Sequence, residues 1–291
     1  MSSVKTMASW PKVIKSKEEL PQFFTNYIHE EIMDTPNFPY MVFIPPAGFG
    51  LKKYNAMVIY LWEKSLCFVE KIKKQADILV FPFEKINFIE KGTVLLNSWL
   101  KIGGIIDDKP VHKKFEFNTV AIEYMNNIVE AIRSSYISSS LTLVEKSEKE
   151  KFDYLSKVNY KFMSYGKGSL RPGGKVIQMM VQTEIKEERL RVFGKSLFKT
   201  VAPMHLSILT EEEYILLQDT SDGFSRYGIV YTYIPLSRIE NTLQEPIPEN
   251  DTFRLCLDLR NKDQIRLLFQ NRFRDEVKTF LDAMMMKKVM C

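Results

Sequence analysis

The sequence predicts an α+β protein, mainly β, built from two β-rich modules that are each closed by a C-terminal helix. Three observations lead there. First, Phe253, Leu255, Leu257 and Leu259 alternate with Arg254, Cys256, Asp258 and Arg260, the period of a half-buried strand. After a turn at Asn261-Lys262-Asp263, Ile265, Leu267 and Phe269 repeat the alternation, so the pair reads as an antiparallel hairpin. Second, Phe273, Val277, Phe280, Leu281 and Met284 then fall on one helical stripe, which must cover a sheet or another helix.

Third, the pattern occurs twice. Phe81-Pro82-Phe83-Glu84-Lys85-Ile86 matches Ile234-Pro235-Leu236-Ser237-Arg238-Ile239 at a spacing of 153. Phe115-Glu116-Phe117 matches Leu267-Leu268-Phe269, and Ile128 to Ile132 matches Phe280 to Met284, both at a spacing of 152. Val58 to Glu70 lies over Leu206 to Gln218 at a spacing of 148. Matches in the same order with slowly drifting spacing point to an internal duplication, and a period this long means two domains rather than a solenoid. The division expected is a tail and helix over residues 1–35, a first module over 36–140, and a helix plus second module over 145–291.

Taken in order, residues 1–15 read as a loose tail. Ser16-Lys17-Glu18-Glu19 has the form of a capping box, and Pro21 marks the effective start of a helix with Phe23, Phe24, Tyr27 and Ile28 on its apolar face. Met41 to Ile44 is a short strand stopped by Pro45-Pro46, and Met57 to Leu61 with Leu66 to Val69 forms a hairpin. Strands over Ile78 to Ile89 and Val94 to Ile102 are expected to break at Lys91-Gly92 and Gly103-Gly104. The first closing helix carries Ala121, Met125, Ile128, Ile132 and Tyr136, capped by Asn118 or Thr119. Ser134 to Ser140 and then Glu145 to Lys151 form a polar boundary that leads into a helix with Phe152, Leu155 and Phe162 on one face. Gly166 to Gly174 reads as a turn into one long strand from Ile177 to Ile185. Leu206 to Thr210 and Tyr214 to Gln218 are hairpin-like, and Tyr227 to Pro235 is a further strand.

The succession HLSILTEEEYILLQD, then YGIVYTYIPLSRI, then a strand pair and a closing helix resembles bacterial pleckstrin-homology-like domains and, more distantly, GRAM domains. It covers most of residues 160–286, and residues 40–136 more weakly through the duplication. The resemblance implies two split barrels, each of seven strands in two orthogonal sheets with a helix closing one open end. It also implies binding of peptides or lipid headgroups. Lipid-binding members place a Lys at the end of the first strand and Arg-x-Arg at the opening of the second. Lys186, Arg189 and Arg191 match that arrangement. Glu184, Glu187 and Glu188 set three negative charges against these three positive ones, and a hairpin turning at Glu187-Glu188 pairs Glu184 with Arg191 across the strands.

Composition narrows the function classes. The net charge of +5 is too small to indicate nucleic acid. Ten of the eleven arginines follow Arg133, so an anion-recognising surface belongs to the second module if to either. Cys67, Cys256 and Cys291 are odd in number and far apart, which gives neither a disulfide framework nor a zinc site. His29, His112 and His205 have no ligand-type neighbours at metal spacing, and His205 reads as a structural histidine. Around Gly168 to Lys175 the Lys comes one residue late for a phosphate loop, and the order of helix and strand is reversed. The N-terminus shows no apolar run of signal-peptide type. The expectation is therefore a cytoplasmic binding or scaffold protein with no catalytic residues, no metal and no cofactor. Its partner is a protein or peptide, with self-association as a further mode. The alternative is a membrane adaptor that holds anionic lipid through Lys186, Arg189 and Arg191.

Overall fold

The computed structural model describes residues 10–28, 30–33, 38–49, 52–137, 143–192, 195–220, 228–247 and 251–290. The protein is α+β and mainly β, its strands antiparallel. Its sheets stay open instead of closing on themselves. It divides into two compact units. One contains the chain to Ile86 with Leu95–Lys101 and Lys113–Tyr136; the other contains Asn87–Val94, Ile102–His112 and the chain from Ile137.

In the first unit, β1 (Lys12–Ile14), β2 (Met41–Ile44), β5 (Met57–Trp62), β6 (Ser65–Ile72) and β7 (Gln75–Pro82) form a sheet in the order β1-β2-β5-β6-β7. A small hairpin, β3 (Ala47–Phe49) with β4 (Lys52–Tyr54), lies between β2 and β5 in the chain. The expected loose tail thus contributes an edge strand, because Ile14 finds an apolar site in the core. Short helices α1 (Gln22–Thr25) and α2 (Glu30–Met33) bring Phe24, Ile28, Ile32 and Met33 onto the sheet residues Met41, Val58, Cys67 and Val69. Ser16 makes no side-chain cap; Glu19 instead accepts a hydrogen bond from the Lys15 amide at 2.9 Å. On the opposite face Phe68 meets Phe115 edge to face at 6.0 Å. Helix α3 (Ile122–Ser134) buries Met125, Ile128, Val129 and Ile132 as its 3.6-residue stripe requires. Asn118 caps the turn before it, accepting from the Val120 amide.

Strands β8 (Ile86–Val94), β9 (Asn97–Ile106) and β10 (Lys109–Asn118) run straight through the predicted glycine breaks. Gly92 keeps its place in the ladder opposite Val230. Gly103 is small because Phe88 lies against it: a Cβ there would come within 2.2 Å of the Phe88 ring. Gly103 thus marks close packing, and neither it nor Gly92 marks a chain reversal.

In the second unit, α4 (Lys146–Glu150) is tied to the following strand by Glu148, which accepts from the Val176 amide at 2.7 Å and from Lys151 at 2.8 Å. Burial alone would raise the Glu148 pKa; these bonds and the charges of Lys151 and Lys175 outweigh it and hold the carboxyl below its ordinary range. Helix α5 (Tyr160–Ser169) is capped by Asn159 and buries Phe162 beside the fully buried Phe152 and Leu155. Gly166 and Gly168 belong to this helix, and a Cβ on Gly166 would lie 2.6 Å from the Phe152 ring. The chain turns only at Arg171 to Gly174, with Gly173 at φ 74°.

The predicted long strand is divided at Thr183-Glu184 into β11 (Val176–Gln182) and β12 (Ile185–Val192), and β12 pairs with β13 (Lys195–Ala202) as a separate hairpin. Then come β14 (His205–Thr210), β15 (Glu213–Gln218) and β16 (Gly228–Pro235). The sheet order is β10-β9-β8-β16-β15-β14-β11, with β8 lying antiparallel on β16 from Gly228 opposite Val94 to Tyr233 opposite Ile89. Strands β17 (Ile239–Ile247), β18 (Thr252–Leu259) and β19 (Gln264–Gln270) make a three-stranded sheet. Helix α6 (Arg274–Met290) seals its apolar face with Val277, Phe280, Leu281 and Met284.

Candidate functional site: a cleft beside a free strand edge

The first unit has a cleft of about 100 Å3 lined by Ile44, Tyr54, Asn55, Met57, Glu70 and the four consecutive residues Lys113 to Glu116 of β10. Successive side chains of a strand point to opposite faces, so four in a row can line one cleft only if the strand turns its edge toward it. β10 is the terminal strand of its sheet, and no strand pairs with its outer side among the described residues. An edge of this kind leaves backbone groups without a ladder partner. Ile44, Met57 and Phe115 are each about 5% exposed or less and form an apolar floor.

Charge frames the floor. Glu70 binds Lys113 and accepts from Asn55 Nδ2 at 2.7 Å. Burial works against the Glu70 carboxylate, but the bonds from Lys113 and Asn55 prevail and keep its pKa low. Glu116 accepts from Asn97 at 3.4 Å, and Lys114 Nζ stands 5.0 Å above the Trp99 ring. The Tyr54 hydroxyl is buried beside the Glu116 carboxylate, which accepts a hydrogen bond from it. That burial, reinforced by the nearby Glu116 carboxylate, pushes its pKa up to about 12, so it stays a proton donor. The volume suits one side chain; cofactor and drug-sized sites run to several times this size, about 300–1,000 Å3. The cleft therefore offers one apolar socket and a strand edge with no ladder partner among the described residues.

The residues predicted to hold an anion lie on β12. Glu187 stands opposite Lys199 and Glu188 opposite Phe198, so the strand continues where a turn was expected. Arg191 faces Ser196, not Glu184. Glu184 is instead paired along its own chain with Lys186 at 2.7 Å, and it accepts from the Thr200 hydroxyl at 2.5 Å. Arg189 falls at a register shift between Glu188 and Leu190. The side chains of Arg189 and Arg191 lie outside the described residues, so the structure places only their backbone. Lys186 opens β12 and does not end β11, which departs from the arrangement the resemblance implied.

Chain folding also makes a pair that the sequence hides. His112 Nε2 lies 2.7 Å from Asp263 Oδ1, across 151 positions. Asn87 Nδ2 donates to Asp263 Oδ2 at 3.2 Å and to the Arg260 carbonyl at 2.8 Å, which fixes the turn between β18 and β19. His205 is sealed in, 1% exposed, with its ring edge-on to Phe269 at 4.8 Å. His29 lies outside the described residues. Among the described residues no three His, Cys, Asp or Glu are grouped to hold a metal ion, and no helix is long and apolar enough to cross a membrane. The cavity beside Arg171, Gly173, Gly174 and Glu211 to Glu213 measures about 20 Å3, room for one water and not for a phosphate chain. No protein-family model matches the chain, and no curated protein matches it either.

Proposed function

We propose that the protein is a non-enzymatic, two-module binding protein of pleckstrin-homology-like architecture that takes an extended segment of a protein partner into the cleft beside β10. The observation that carries the reading is the coincidence, in one recess, of a strand edge with no ladder partner among the described residues and the socket of Ile44, Met57 and Phe115. An extended peptide needs those things: main-chain partners for affinity and a pocket for an alternate side chain for specificity. The flanking Lys113, Lys114, Glu70 and Glu116 carry both signs, which suits a peptide of mixed charge better than a uniformly anionic surface.

The two-module part has its own support. Four strands (β2, β5, β6, β7), three strands (β8, β9, β10) and a helix are followed by four strands (β11, β14, β15, β16), three strands (β17, β18, β19) and a helix. The turn after the fourth strand has Pro82 at φ −58°, ψ 134° in one run and Pro235 at the same angles in the other. Each then runs into a one-turn 3-10 segment that ends at an isoleucine, Ile86 or Ile239. Divergent duplicates of one ancestral domain would have this form.

Selection of peptides from a random displayed library on the immobilised full chain tests the binding reading. Peptides recovered on the wild-type chain should bind Lys114→Glu with Glu116→Lys at least tenfold more weakly, as read by fluorescence anisotropy. Recovered peptides that ignore this double exchange would place recognition elsewhere. Failure to recover any, together with tight co-sedimentation with vesicles of anionic lipid that Lys186→Glu abolishes, would replace the peptide by a membrane surface.

A further inference from the structure

The pairing of β8 with β16 is a contact between the fifth strand of one four-plus-three run and the fourth strand of the other. Each chain has one more strand of each kind. β7 is the counterpart of β16, with Pro82 in the place of Pro235; β17 is the counterpart of β8, with Ile239 in the place of Ile86. Both are terminal strands of their sheets, and among the described residues no strand pairs with their outer edges; at the start of β17 the Lys288 side chain donates to the Glu240 carbonyl at 2.9 Å, outside the stretch that the register below uses. β7 is eight residues long and β17 nine, lengths at which a bare edge is a template for another strand.

The side chains agree. Tyr231 and Tyr233 of β16 stack at 6.1 Å, and Lys91 of β8 reaches over Tyr231 at 4.8 Å. The positions in β7 that correspond to these two tyrosines are Ile78 and Val80, apolar yet 49% and 46% exposed. On β17, Leu243 is 47% exposed. Exposed apolar residues on a bare edge strand are what native sequences otherwise avoid.

We propose that the open edge of β7 receives the open edge of β17 from a second copy of this chain, antiparallel and in the register in which β8 lies on β16. That register sets Leu79 opposite Leu243 and Val80 opposite Thr242. It also sets Asp77 opposite Glu245, a like-charge pair softened by Arg254, 3.2 Å from Glu245, and by Lys113, which is 3.9 Å from Asp77 and shared with Glu70. Pro246 has no amide proton, so the ladder has one bond fewer at its end, opposite Ala76. The contact is heterologous: every copy offers one edge of each kind, so association continues past the dimer until a ring closes or a filament grows. The inference rests on the equivalence of the two runs and is independent of the cleft beside β10.

Sedimentation velocity of the full chain over a wide concentration range tests it. The wild type should form species heavier than two copies of the 34.1 kDa chain. Ile78→Lys with Val80→Lys should give a monomer, and Leu243→Lys should give a monomer too; all three positions are exposed, and circular dichroism checks that the fold is kept. An equimolar mixture of the two variants should give a capped dimer and nothing larger, because one retains β17 and the other β7. A wild type that stays monomeric overturns the proposal. So does a Leu243→Lys chain that still associates, which would mean β7 pairs with itself, and so does a mixture that yields no dimer.

Discussion

His205 shows how a single buried group makes stability depend on pH. Its ring is 1% exposed and lies against Phe269; Nδ1 is 3.4 Å from the Pro203 carbonyl, and Nε2 is buried with no partner among the described residues. Burial disfavours the imidazolium and lowers the pKa to about 4, with the Pro203 carbonyl opposing only in part. A histidine near 6.5 when unfolded and near 4 when folded binds more protons in the unfolded state, so its stabilisation is complete above 6.5 and declines as pH falls toward 4. At about 1.4 kcal/mol per unit, the decline is about 3 kcal/mol. Urea melts from pH 7 down to pH 4 should show that loss in the wild type and lack it in His205→Phe, which fills the same apolar site with nothing to protonate. Equal pH dependence in the two would mean that His205 is not buried as described.

At the scale of elements, the two closing helices carry the plainest pattern. In α6 Phe280 is fully buried and Asp282 exposed; in α3 Ile128 is fully buried. Phe280→Asp should destabilise the second unit by several kcal/mol, since loss of a buried aromatic alone costs ~3–5 kcal/mol and an unpaired charge adds to it. Ile128→Asp should do the same to the first unit, while Asp282→Ala should leave the melting temperature within a degree or two. Equal shifts for all three in thermal melts would contradict the helical phase. These helices could be read from sequence because a 3.6-residue stripe is local information. β17 could not, since only Ile239 in it is buried, so neither face has a run of apolar residues to alternate, and Pro246 looks like a terminator. The β12–β13 hairpin is masked by its charges, and Glu187-Glu188 imitates a turn. Gly103 imitates a break because its reason for being small, Phe88, stands fifteen positions away in sequence. The candidate site is still less local. Tyr54, Glu70 and Lys113 meet only through the fold, as do His112 and Asp263, and no spacing rule reaches that far.

At the scale of the whole molecule, the second unit borrows from the first half of the chain. Phe88, 3% exposed, is part of the same apolar core as Phe253, Phe269 and Phe280, and β8 covers the edge of β16 along six residue pairs. A fragment of residues 145–291 retains the Glu148 tie to Val176, all of its own strands and the closing helix, so it has what it needs to fold. It loses Phe88 and bares Tyr231 and Tyr233. Removing a buried phenylalanine from a core costs ~3–5 kcal/mol, and each cross-strand pair lost adds roughly 0.2–1 kcal/mol. Fragment 145–291 should therefore melt well below the second unit of the intact chain, and fragment 1–142 added in trans should raise its melting temperature and co-purify with it. Replacing Phe88 by Ala in fragment 1–142 should weaken that rescue, which ties the effect to the core and not to general crowding. If fragment 145–291 melts like the intact protein and ignores fragment 1–142, then β8 and Phe88 contribute nothing to the second core.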